Sequence, residues 1–174
     1  AKHRIPLITH VGDEHSVSAG GINNSFGNPH KYSVWLDLLP DLKIIMAHVG
    51  TEGTCLNHEG ESTSCFNLTV EMMERYPKQV YADISALSSA FQRTKYIPSL
   101  LEKKHLFPRL LYGSDYPVAA IRPLVKLSYY RMRSLNLLPP EITWELIDKS
   151  YTHSPLLAGV ILLRSVEWRG IKFS

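Results

Sequence analysis

Specialised features are scarce in this chain, and each absence removes a class. Only two cysteines, Cys55 and Cys65, occur in 174 residues, ten positions apart and with no Cys-x-x-Cys. That is too few for a disulfide-built scaffold, and there is no cysteine zinc motif. Two reduced thiols are therefore expected, with a local disulfide clipping the polar segment between them as the alternative. Lys and Arg are scattered, with no run longer than Lys103-Lys104, and the net charge is only +3. A nucleic-acid partner needs a stronger basic patch, so none is expected. No apolar run approaches the ~18 residues of a membrane span, and no signal peptide is recognisable. A cytoplasmic chain with no membrane partner is the expectation. Low-complexity tracts are absent. Asn67-Leu68-Thr69 is a lone glycosylation triplet of a kind that arises by chance.

What remains is ordinary for a globular protein, at 44% hydrophobic and 20% charged residues, and long enough for one domain over residues 1–174. Three apolar runs stand out. Pro6-Leu7-Ile8-Thr9 leads to His10, Lys43-Ile44-Ile45-Met46-Ala47 leads to His48, and Arg109-Leu110-Leu111-Tyr112-Gly113-Ser114 leads to Asp115. Short continuous apolar runs read as parallel strands covered on both faces. A fourth strand is expected at Val80-Tyr81-Ala82-Asp83-Ile84-Ser85. Four parallel strands, near residues 5–10, 43–48, 80–85 and 109–113, are thus predicted in sequence order.

Between them lie polar loops and helical patterns, which argues for an α/β fold. Helices are predicted over residues 29–39, 64–76, 93–105, 124–135 and 141–150, and one more begins at Ser154-Pro155, with Ser154 as N-cap. The segments 12–29 and 50–64 read as long loops, and long loops are usually functional. Two imidazoles and a carboxylate following strands are ligand and acid–base types for a divalent metal.

The ordered motifs Ile5-Pro6-Leu7-Ile8-Thr9-His10-Val11-Gly12-Asp13-Glu14-His15, Ala47-His48-Val49-Gly50, Tyr81-Ala82-Asp83-Ile84-Ser85, Gly113-Ser114-Asp115-Tyr116-Pro117 and His153-Ser154-Pro155 resemble the amidohydrolase superfamily. The branch they resemble is that of amidohydrolase-related metal-dependent hydrolases and decarboxylases. The resemblance implies a (β/α)8 TIM barrel, of which this chain covers roughly strands 5–8. In that family a His closes strand 5, another closes strand 6 and an Asp closes strand 8, which correspond to His10, His48 and Asp115. The family's strand-1 His-x-His pair has no counterpart here. A complete barrel needs about 250 residues, so the C-terminal half of one is expected.

The resemblance implies a divalent metal, zinc or manganese, held by His10 and Asp115, with Asp115 also taking a proton and His48 beside substrate and water. It implies hydrolysis of an amide or lactone-like bond by metal-bound hydroxide. The alternatives are non-oxidative decarboxylation of a small molecule and a non-catalytic half-barrel scaffold. Asp13, Glu14, His15 and Arg122 are candidate substrate-binding residues. Asp83 is a candidate orienter of the site. His58 and His153 read as structural or solvated. A half barrel exposes strand edges, so self-association or pairing with an N-terminal half is expected. With only two of the usual metal ligands, the chain alone is expected to bind metal poorly and to be inactive.

Overall fold

The computed structural model describes residues 5–13, 24–88 and 93–173. The chain divides into two compact units, residues 1–84 with 109–111, and residues 85–108 with 112–174.

The first unit contains strand β1 (Leu7–His10), helix α1 (Ser33–Leu38), β2 (Ile44–Ala47), β3 (Thr54–Leu56), β4 (Ser62–Ser64), helix α2 (Cys65–Arg75), β5 (Val80–Asp83) and β6 (Leu110–Leu111). Four of these strands form one sheet in the order β1-β2-β5-β6. Every pairing in it is parallel, with Leu7 opposite Ile44, Ile44 opposite Val80 and Ala82 opposite Leu110. The predicted parallel α/β arrangement is therefore present, in sequence order.

Strand β2 lies inside the sheet, and its apolar run suits that position: Ile44, Met46 and Ala47 are all buried. Strand β1 is an edge of the sheet and leaves Leu7 and Ile8 exposed. The fourth strand is shorter than expected. Residues 104–109 wind into a 3-10 turn with Pro108 inside it, so only Leu110 and Leu111 pair. A proline has no N–H to donate and resists incorporation into a ladder.

Helix α2 follows from its spacing. Cys65, Leu68, Thr69, Met72, Met73 and Tyr76 recur three and four apart and are buried. The Ser64 hydroxyl caps the helix by accepting the Asn67 N–H at 3.2 Å. The predicted helix over 29–39 is instead a 3-10 turn at Pro29–Tyr32 running into α1.

The polar stretch 50–64 is not a plain loop. It contains the antiparallel hairpin β3–β4, in which Cys55 lies opposite Thr63. The hairpin returns the chain so that Cys55 and Cys65 have Cα atoms 5.0 Å apart and are joined as a disulfide. The expectation of two reduced thiols is corrected here: the fold brings the pair within bridging range, which spacing alone did not reveal.

The second unit holds helices α3 (Ile97–Leu101), α4 (Arg122–Ser134), α5 (Trp144–His153) and α6 (Pro155–Arg164), then strands β7 (Glu167–Trp168) and β8 (Ile171–Lys172). The predicted 93–105 helix is broken into a 3-10 turn at Arg93–Tyr96 followed by α3. Helix α5 starts later than predicted because Thr143, not Pro140, opens it. The Thr143 hydroxyl accepts the Leu146 N–H at 3.3 Å. Pro155 stands in the first turn of α6 as expected, but Ser154 makes no side-chain cap bond. The β7–β8 hairpin went unrecognised in the sequence. Its turn, Arg169-Gly170, takes φ of 51° and 77°, and consecutive positive φ values suit a tight two-residue hairpin. Among the described residues, no helix is long and apolar enough to cross a membrane.

The disulfide closes a short loop and ties the hairpin to α2. Loop-closure entropy assigns such a bridge roughly 3 kcal/mol. The double variant Cys55→Ser/Cys65→Ser is expected to lose about that much in urea unfolding. Dithiothreitol should bring the native chain to the same midpoint and leave the double variant unmoved.

Candidate functional site

In the first unit, His10 is the last residue of β1 and His48 follows β2 directly. These strands are parallel neighbours, with His10 opposite Ala47. The two side chains therefore emerge at the same, carboxyl end of the sheet. Their rings lie 5.5 Å apart, centroid to centroid, edge to face. The His10 Nε2 is 3.1 Å from the Asp13 carbonyl oxygen.

The loop carrying Asp13 is stitched down by its neighbours. The Gly12 N–H donates to the Gly27 carbonyl at 2.9 Å, and the Asp13 N–H donates to the Glu52 carbonyl at 3.3 Å. Gly12 has φ of 96°, and a Cβ there would lie 2.1 Å from the Glu52 carbonyl oxygen. Only glycine permits so close a backbone approach. The loops after β1 and β2 thus hold each other beside the two histidines. Asp13 is half-buried, its carboxylate against Gly53. Glu14 and His15 lie outside the described residues.

The backbone at His48 is unusual. His48, Val49 and Gly50 have φ of 58°, 52° and 60° in succession. A left-handed residue with a Cβ costs roughly 1–2 kcal/mol, and Val is worse suited than most. Several contacts offset that cost. The His48 N–H donates to the Asp83 carboxylate at 3.3 Å. The His48 carbonyl accepts both the Thr51 N–H at 3.0 Å and the Thr51 hydroxyl at 2.8 Å. Val49 is fully buried. Gly50 sits so tightly that a Cβ would lie 2.4 Å from the Thr69 Oγ1 and 2.7 Å from the Cys65 carbonyl oxygen.

Asp83 ends β5, and its carboxylate also faces the His48 ring, with 3.9 Å between Oδ1 and Nδ1. That is an electrostatic contact, too long for a hydrogen bond. Asp83 therefore orients His48 mainly through the main chain.

In the second unit, Asp115 lies in the Gly-Ser-Asp-Tyr-Pro segment, four residues after the last residue of β6. It is half-buried, has φ of 52°, and its carbonyl accepts the Val118 N–H at 2.8 Å. The next peptide but one, Tyr116-Pro117, is cis. Arg122, a predicted substrate residue, is exposed and forked onto Asp148, with Nε to Oδ1 at 2.7 Å and the terminal amine to Oδ2 at 2.5 Å. Hydrogen bonding to Asp148, followed by its charge, raises the Arg122 pKa above the ordinary value. Its bidentate capacity is already engaged. His153, at the end of α5, is exposed.

Two features escaped the sequence reading. One is the left-handed backbone: His and Asp tolerate a positive φ better than most residues, but they adopt it in a minority of cases, and Val disfavours it. The other is a cluster that does not include the strand-end residues. Among the described residues, His30, His58 and Glu71 form the one group of three His, Cys, Asp or Glu side chains whose donor atoms all lie within 4.8 Å of one another. These three are far apart in sequence, so no local motif marks them.

The strain at His48 is measurable. Replacing His48 by Ala and by Gly removes the same imidazole, but only Gly adopts this φ freely. His48→Gly is expected to be about 1 kcal/mol more stable than His48→Ala in denaturant unfolding. Gly50→Ala should cost more than about 1 kcal/mol, because added strain and the contacts with Thr69 and Cys65 combine.

A comparison with family models matches residues 1–141 to the amidohydrolase model. Searches of curated proteins and of solved structures return no significant match. The family match covers most of the chain and contains His10, His48, Asp83 and Asp115, so the chain belongs to the amidohydrolase family.

Proposed function

We propose that this chain contributes the strand-end half of the active site of a metal-dependent hydrolase acting on an amide or lactone-like bond. The observation that carries this reading is the pair of imidazoles, 5.5 Å apart at the carboxyl ends of adjacent parallel strands. Active sites of (β/α)8 barrels stand at that end of the sheet. Four parallel strands in sequence order suit half of such a barrel. The exposed apolar edge at β1 suits pairing with a further strand, from an N-terminal half or another copy.

The donor set fits a divalent metal. Neutral imidazole and carboxylate are both ligands of zinc and of manganese. The family resemblance assigns ligand roles to His10 and to Asp115. When bound, the metal supplies Lewis acidity and a water of lowered pKa. Asp115 accepts the proton of the attacking water. His48 hydrogen-bonds the substrate carbonyl oxygen as charge builds on it. Water adds to the carbonyl carbon, the C–N or C–O bond breaks, and the leaving group takes up the proton. Asp83 keeps His48 in place through its N–H. Asp13, Glu14 and His15 are assigned to the substrate mouth. Arg122 joins them only by leaving Asp148. The Cys55–Cys65 bond favours an oxidising compartment over the cytoplasm expected from sequence.

The test uses the complete enzyme with a panel of amides, lactones and aromatic carboxylates. His10→Ala and Asp115→Ala are expected to lose the strand-end metal and turnover. His48→Ala should keep its metal and lose about 10²-fold or more in turnover, the usual span of a positioned proton or hydrogen-bond group. Release of carbon dioxide from a carboxylate would replace hydrolysis by decarboxylation. Full turnover in all three variants would end the assignment.

A further inference from the structure

We propose that His30, His58 and Glu71 form a second divalent-metal site of zinc type, separate from the strand-end residues and built to clamp three elements of the first unit. The three residues come from different places: the 3-10 turn Pro29–Tyr32, the β3–β4 hairpin connection, and helix α2. Their donor atoms all lie within 4.8 Å of one another. The His30 and His58 rings are 5.7 Å apart, inclined by 40°.

A plain histidine–carboxylate ion pair accounts for this poorly. The His30 side chain is only 11% exposed, and its Nε2 lies 3.5 Å from the Glu71 Oε1. A charge-assisted N–H···O bond is shorter, at about 2.7–2.9 Å. The Nε2 is shielded from water and makes no hydrogen bond among the described residues. A buried polar atom in that condition calls for a partner. A tetrahedral ion with ligands at about 2.0–2.2 Å sets its donor atoms roughly 3.4 Å apart. The His30–Glu71 spacing already meets that value. His58 is exposed and on a hairpin connection, so its ring can turn inward to complete the set.

The scaffold around the three ligands is braced. The Asn28 side chain accepts the His30 N–H at 3.0 Å and donates to the Leu56 carbonyl at 2.7 Å. It thereby joins the His30 turn to the hairpin that carries His58. The Cys55–Cys65 disulfide joins that hairpin to the start of α2, which carries Glu71. Two neutral imidazoles and one carboxylate are a recurrent zinc donor set that leaves one position for water. Bound metal would add a further tie to the side-chain amide, the disulfide and the packing that already join these elements.

The experiment titrates metal-stripped chain with zinc by calorimetry, and with cobalt by visible absorption. Wild type, His10→Ala, His58→Ala and Glu71→Gln are compared, each checked for native circular dichroism. Wild type and His10→Ala are expected to bind the clamp equivalent, to show a tetrahedral cobalt spectrum, and to gain thermal stability on adding zinc. His58→Ala and Glu71→Gln should each lose that equivalent, the spectrum and the thermal gain. His58 is exposed, so its removal leaves folding intact. Should His58→Ala not fold, Glu71→Gln carries the test. If wild type bound no zinc, or if both variants kept the full stoichiometry, the three residues would be an ion pair only and the clamp would be overturned. Loss of the metal in His10→Ala alone would assign binding to the strand ends and overturn it equally.

Discussion

The arrangement of the first unit near its candidate site depends on one strained turn. His48, Val49 and Gly50 run left-handed where β2 leaves the sheet. Two of the three carry a Cβ, so the turn stores roughly 2–4 kcal/mol. Burying the Val49 side chain returns roughly 1.5–3 kcal/mol, and the bonds to Asp83 and Thr51 supply the remainder. The turn is also the place where other constraints meet. Gly50 abuts Thr69 and the Cys65 carbonyl on α2, and Cys65 is bridged to the hairpin. A right-handed turn would carry His48 off its present course and force α2 away from the strand end.

The division of labour at His48 follows from two distances. The Asp83 carboxylate binds the His48 N–H at 3.3 Å, but lies 3.9 Å from the ring nitrogen. A carboxylate that fixed the ring would sit at hydrogen-bond length from it, as in the usual histidine–carboxylate pairs. Asp83 holds the His48 peptide through its N–H and faces the ring at a longer distance. Substitution at Asp83 therefore acts on the turn before it acts on chemistry.

Much of the fold was legible because it rests on apolar periodicity. The runs leading to His10 and His48 are parallel strands paired with each other, and α2 repeats its apolar residues every three or four positions. Elements set by other forces were less legible. The β3–β4 hairpin has only three residues per strand and a polar sequence, so no pattern marks it. Its stability comes from the disulfide and from packing against α2, which are tertiary. The fourth strand shrank because a 3-10 turn containing Pro108 consumed its start. The positions of His10 and His48 at the ends of neighbouring strands were legible, since each follows an apolar run. The backbone of His48 and Asp115 was not, because positive φ at His or Asp depends on neighbours distant in sequence. The group His30, His58 and Glu71 was invisible for the same reason.

Strain is distributed unevenly along the chain. Among the described residues, five that are not glycine have positive φ: His48, Val49, Asp115, Asn136 and Arg169. Asn136 follows the end of α4, and Arg169 sits in the β7–β8 turn, where such conformations are routine. The other three follow strands β2 and β6 of the parallel sheet. At a position that only had to turn, glycine would adopt this conformation without cost. Keeping an imidazole and a carboxylate there makes sense only if the side chain is needed and the backbone must aim it. The strain therefore falls on His48 and Asp115, two of the three residues singled out by the family resemblance. The strain at His48 coincides with a strand end, where the proposed function needs a side chain held in one direction.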